Sequence, residues 1–131
     1  MKKLLSILFV AVYLVACTNN NKTSSQSPTL LGKWKLIQVL NDPGDGSGVF
    51  KDTQNGKTLE FLSEGKVTSN TPMCVLNSSS GAKGEGTYDK TSISPKDCGS
   101  STMKLTYKIE GQNLIVTFPC DEGCAEKYVK L

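Results

Sequence analysis

Residues 103–118 read MKLTYKIEGQNLIVTF. Met103, Leu105, Tyr107 and Ile109 alternate with Lys104, Thr106, Lys108 and Glu110. Successive side chains of an extended chain point to opposite faces, so the segment predicts a strand with one dry and one wet side. Gly111-Gln112 supplies a turn, and Leu114, Val116 and Phe118 repeat the alternation on the way back. The two runs predict an antiparallel hairpin.

The same signature recurs upstream and downstream. Strands are expected over 33–40, 58–62, 66–70, 84–89, 92–94, 103–110, 113–118 and 125–131, separated by Gly, Pro, Asn, Asp and Ser. Ser63-Glu64-Gly65 joins the second to the third, with a glycine available for positive φ. No stretch beyond residue 17 sustains a helical period. Eight short sequential strands predict an all-β domain. Its simplest closure is an eight-stranded antiparallel up-and-down β-barrel, which leaves no edge unpaired.

The N-terminus carries a different signal. Met1-Lys2-Lys3 is a short basic start, and residues 4–16 are apolar except for Ser6 and Tyr13. Thirteen residues fall short of the ~20 a membrane-crossing helix needs, and suit the core of a secretory signal peptide. The segment ends Leu14-Val15-Ala16-Cys17, which resembles the bacterial lipobox. The resemblance implies a signal peptide over 1–16 and lipidation of Cys17. Residues 17–29 then form a polar linker, since TNNNKTSSQSP over 18–28 cannot bury enough apolar surface to order itself. By analogy with other bacterial lipoproteins, Thr18 instead of an aspartate after the lipidated cysteine points to the outer membrane. The absence of an acidic cluster in the linker points to its periplasmic face.

Residues 30–131 make one small domain. The precursor carries a net charge of +3, two units of it from Lys2 and Lys3, and its charges are dispersed, so nucleic acid is not an expected partner. There is no histidine, which removes the commonest general base and zinc ligand and forbids Ser-His-Asp and Cys-His chemistry. No carboxylate pair, serine nucleophile or cofactor motif stands out, and Ser78, Ser79 and Ser80 lie in a polar run read as a solvated loop. The chain is read as a non-enzyme with no cofactor and no catalytic or metal residues.

Of five cysteines, Cys17 is set aside for lipid, leaving Cys74, Cys98, Cys120 and Cys124. Four in a small exported domain read as two disulfides. Three pairings are possible, and Cys74–Cys98 with Cys120–Cys124 is the favoured one. A four-cysteine metal site would need two closely spaced pairs, and only Cys120 and Cys124 are close.

Gly32-Lys33-Trp34 opens the first strand and matches the G-x-W motif of the lipocalins. A Gly/Asp-rich loop over 42–48, Gly86-Thr87-Tyr88 and the closing Glu126-Lys127-Tyr128-Val129 extend the likeness. The chain thus resembles the bacterial lipocalin-like lipoproteins over about residues 30–131. The resemblance implies a monomeric lipocalin-like barrel binding a small hydrophobic ligand, with Trp34, Phe61, Tyr107, Phe118 and Tyr128 as pocket or core residues. One departure is clear. Many lipocalins stack an arginine on the motif tryptophan, and this chain has none, which leaves Lys127 or Lys130 for that place. The loop from Asn41 to Gly48 is open to three readings: a lid over the barrel mouth, a plain connection, or a cation site. It breaks the EF-hand pattern, with Gly44 where the third-position ligand belongs. The functional alternative is a filled barrel used for protein interaction, as an inhibitor or structural element of the envelope.

Overall fold

A computed structural model describes residues 28–96, 98–99 and 102–131. The signal peptide expected over 1–16, Cys17 and most of the 17–29 linker lie outside the described residues. Among those described are nine strands: β1 (Gly32–Asn41), β2 (Lys51–Asp52), β3 (Thr58–Phe61), β4 (Lys66–Ser69), β5 (Gly84–Tyr88), β6 (Ser92–Pro95), β7 (Leu105–Glu110), β8 (Asn113–Phe118) and β9 (Cys124–Lys130).

Eight of them close an antiparallel barrel in chain order. Strands β3 to β9 each pair with the next, and β1 pairs with both β3 and β9. Trp34 sits opposite Lys130 and Asn41 opposite Cys124, so the seam runs along most of β1. The expected fold is therefore the observed one, a lipocalin-like up-and-down barrel. Strand β2 is the addition: it pairs Asp52 and Lys51 with Gln38 and Val39 beyond a bulge between Leu36 and Gln38. Two exposed residues carry no periodic pattern, so nothing in the sequence marks it. The strand expected from Met103 begins at Leu105.

Register gives the barrel two unlike ends. Gly32 pairs with Phe61, and Glu110 with Asn113, so the tight turns over 63–65, 89–91 and 111–112 share an end with Gly32 and Lys130. This end is the base. The longer connections over 42–57, 70–83, 96–104 and 119–123 gather at the mouth. At the base, Glu64 (φ 60°) and Gly65 (φ 69°) both enter the left-handed region, so the turn uses more than the expected glycine. Asp89 pins the next turn by accepting from the Thr91 and Ser92 amides and the Ser92 hydroxyl.

The interior holds Trp34, Leu36, Leu59, Phe61, Val67, Met73, Ile93, Leu105, Leu114, Val116, Phe118 and Tyr128, all buried. Gly86, within Gly86-Thr87-Tyr88, faces inward where β5 crosses β6. A Cβ there would stand 2.7 Å from the Ser94 carbonyl oxygen and 3.0 Å from the Pro95 Cα, so only glycine allows this approach.

Candidate functional site

The base is sealed from within. The Trp34 ring is fully buried, and its indole N–H donates to the Leu30 carbonyl at 2.8 Å. Lys130 lies over that ring with Nζ 4.8 Å from its centre and donates to the carbonyls of Thr29 and Leu31. Of the two lysines considered for the missing arginine, Lys130 takes the place. An ammonium has no planar face to stack, but it has three donors, and here it ties the lead-in segment across the base. Burial draws its pKa below the ordinary lysine value. Lys127 points elsewhere, over the Phe50 ring at 4.1 Å and onto Gln38 at 2.7 Å.

The mouth holds a group that the sequence reading did not single out. Lys57 precedes β3 and Glu126 lies on β9, 69 residues apart, and both side chains are buried. Their Nζ and Oε1 atoms meet at 2.9 Å. Nζ also donates to the Val75 carbonyl at 3.0 Å, and Oε1 accepts from the Asn77 amide at 2.7 Å. The second Glu126 oxygen accepts from the Tyr128 hydroxyl. Lys57 further faces the Phe118 ring, 5.5 Å from its centre. Burial, then the Glu126 charge, raises the Tyr128 pKa well above the usual phenol value, so its hydroxyl stays a donor.

Together these contacts fasten the segment over 71–78 across the mouth like a stopper. Met73, from that segment, is buried in the barrel core. Thr71 donates to the Ser78 carbonyl, closing the segment on itself, and Asn77 accepts from Thr53 and Asn55 of the neighbouring connection. Cys74 is bonded to Cys98, which ties the segment to the connection between β6 and β7. Cys120 is bonded to Cys124 at the start of β9. Both bonds are the favoured pairings. Loop-closure entropy predicts that a Cys74→Ala/Cys98→Ala protein loses about 3 kcal/mol and Cys120→Ala/Cys124→Ala about 2 kcal/mol, read as lowered urea midpoints.

The loop over 42–48 also belongs to the mouth. Asp42 accepts from the amides of Gly44, Gly46 and Gly48, and Asp45 from the amide of Ser47. Asp42 thus turns both oxygens on its own loop, an arrangement that holds a connection together and not a cation. Among the described residues no group of three or more His, Cys, Asp or Glu side chains is placed to hold a metal ion. The Gly44 amide leads in drawing the Asp42 pKa below 3.8. A depressed carboxylate pKa stabilises the fold above the unfolded value, and that contribution is lost as pH falls below it. Amide exchange at Gly44, Gly46 and Gly48, corrected for intrinsic rate, should therefore rise as pH drops below 3.8 while the β7–β8 amides stay protected.

Of the five aromatic residues expected as pocket or core, Trp34, Phe61, Phe118 and Tyr128 are buried in the core and Tyr107 packs against it. Phe61 and Tyr107 lie toward the base, with ring centres 5.7 Å apart, and Phe61 meets Tyr88 edge-on at 5.0 Å. Trp34 lies at the base under Lys130, while Phe118 and Tyr128 reach the Lys57–Glu126 pair beneath the stopper. Trp34, Ile93, Leu114, Val116 and Tyr128 have no accessible surface at all. A void large enough for a water-sized sphere would expose its walls, so these side chains fill the interior around them. Two grooves of about 290 Å³ each lie instead on the outer face, one between Lys33, Glu60, Thr68, Lys83 and Glu85 and the other between Lys66, Thr87 and Lys96.

The chain matches no protein-family model and no curated protein. Geometry and chemistry alone therefore carry the functional reading.

Proposed function

We propose that this chain is a non-enzymatic bacterial envelope lipoprotein that acts through the outer surface and mouth loops of a filled barrel, as a protein-interaction or inhibitory module. The anchor rests on the Leu14–Cys17 lipobox and the signal-peptide pattern before it. Acyl chains on Cys17 would hold the barrel at a membrane without a spanning helix, at about 0.8 kcal/mol per buried CH₂. The outer membrane, facing the periplasm, is the compartment that Thr18 favours, and its oxidising chemistry suits two disulfides.

The observation that carries the interaction reading is the stopper. A buried Lys57–Glu126 pair and Met73 occupy the space that a ligand would take. A second reading keeps the lipocalin-like role. The base is sealed, the walls are apolar and the longer connections gather at one end, which is the shape of a calyx. It requires the 71–78 segment to lift out, breaking the Val75 and Asn77 bonds to the ion pair.

One experiment separates the two. The protein is purified from cells, its extract examined for bound apolar molecules by denaturing mass spectrometry, and a fluorescent fatty acid titrated against it. In parallel, photo-crosslinkers at Val49 and Val75 report contacts in cells. The expected result is no stoichiometric ligand, no saturable probe binding and a discrete protein adduct. An equimolar apolar ligand would overturn the interaction reading in favour of the carrier.

A further inference from the structure

We propose that the base of the barrel rests on the lipid surface to which the chain is anchored, through Leu31, Leu62 and Leu131. The proposal builds on the lipid-anchor reading of Cys17. These three leucines are 51%, 39% and 66% exposed. Pairing of Gly32 with Phe61 brings Leu31 beside Leu62, and both point outward because Phe61 and Trp34 point in. The Leu131 amide donates to the Lys33 carbonyl, which sets Leu131 on the neighbouring edge of the same end. Scattered single leucines on a surface need no explanation, but three gathered at one end of the barrel give that end an apolar character.

What selects a lipid surface as the occupant is where the chain leaves the barrel. The described residues begin at Pro28, and Lys130 clamps Thr29 and Leu31 to the base by their carbonyls. The chain therefore exits amid the leucines. Between Cys17 and Pro28 lie residues 18–27, a length that reaches about 35 Å when fully extended and about 18 Å as a random coil. An acylated Cys17 would hold the base, where the linker joins the barrel, within about 35 Å of the lipid. Tethering at this distance turns docking into an intramolecular event, so a small apolar patch suffices. At this edge Lys66 pairs with Glu64 at 3.2 Å, and Lys130 is turned onto the Thr29 and Leu31 carbonyls.

The test uses the full lipidated chain in phosphatidylcholine vesicles, with the same protein released by a protease cut within 18–27 as reference. Hydroxyl-radical labelling read by mass spectrometry should fall several-fold at Leu31, Leu62 and Leu131 in the anchored form. Labelling at Val49 and Val75, exposed at the mouth end, should not change. The single tryptophan, Trp34, reports tumbling of the anchored barrel by time-resolved anisotropy. A Leu31→Ser/Leu62→Ser/Leu131→Ser protein should float with the vesicles as before yet tumble faster. Equal leucine labelling in the two forms, or unchanged tumbling in the variant, overturns the docking. A chain that does not float with the vesicles overturns the anchor, and the docking with it.

Discussion

Glu126→Leu will lower the unfolding free energy by about 3–5 kcal/mol, because it strands the Lys57 ammonium in the barrel without a counter-charge. A domain of this size has only about 5–15 kcal/mol in hand, so the urea midpoint should collapse and the variant should be partly unfolded near 37 °C. The loss has two parts. Lys57 keeps only the Val75 carbonyl and the Phe118 ring as partners, and the Asn77 amide and Tyr128 hydroxyl lose their acceptor. The companion Lys57→Met/Glu126→Leu removes both charges and fills similar volume. It should recover most of the loss, since a buried pair is worth little relative to apolar side chains of the same shape. If the single and double variants are equally destabilised, charge burial is not the cause. The double variant should also free the stopper, and faster amide exchange over 75–78 would show it.

Trp34→Ala will cost a similar amount, about 3–5 kcal/mol, by opening a cavity at the base that the strands cannot collapse to fill. Trp34 is fully buried between the lead-in segment and Lys130, and its loss also leaves the Leu30 carbonyl without a donor. Trp34→Phe, which keeps an aromatic plug but no N–H, should cost clearly less. Lys130→Ala should cost less still, since the half-buried ammonium leaves no sealed cavity behind it, yet it should raise amide exchange at Gly32 and Lys33 by loosening the clamp on Thr29 and Leu31. Urea unfolding of the three variants side by side checks the order. A Trp34→Ala protein as stable as the parent would show that the base is not sealed by this ring.

Much of the barrel was legible in local pattern, for a physical reason. Period-2 alternation in β7 and β8 is imposed by the pleat itself, and the glycines at 65 and 111 mark turns whose backbone other residues adopt reluctantly. Even the buried ion pair left a trace. Counting back by two from Phe61 and Leu59 puts Lys57 inside, and counting back from Tyr128 does the same for Glu126. One inward lysine and one inward glutamate are a complementary pair, but parity does not say that they meet.

Chain chemistry, without a structure, was enough for the eight barrel strands, the tight turns, the disulfide inventory, the exclusion of histidine chemistry and the proposal of an anchor at Cys17. These follow from the pleat, from backbone sterics and from which side chains exist at all. The three-dimensional arrangement added the contacts that depend on distance through space. It chose Lys130 over Lys127 to cover Trp34, and it joined Lys57 to Glu126 across 69 positions. It also turned the Asp42 loop inward on its own amides and set the 71–78 segment in the mouth as a stopper. Burial is a property of the closed barrel, in which a residue's neighbours come from strands far away in the chain, and no local window contains them.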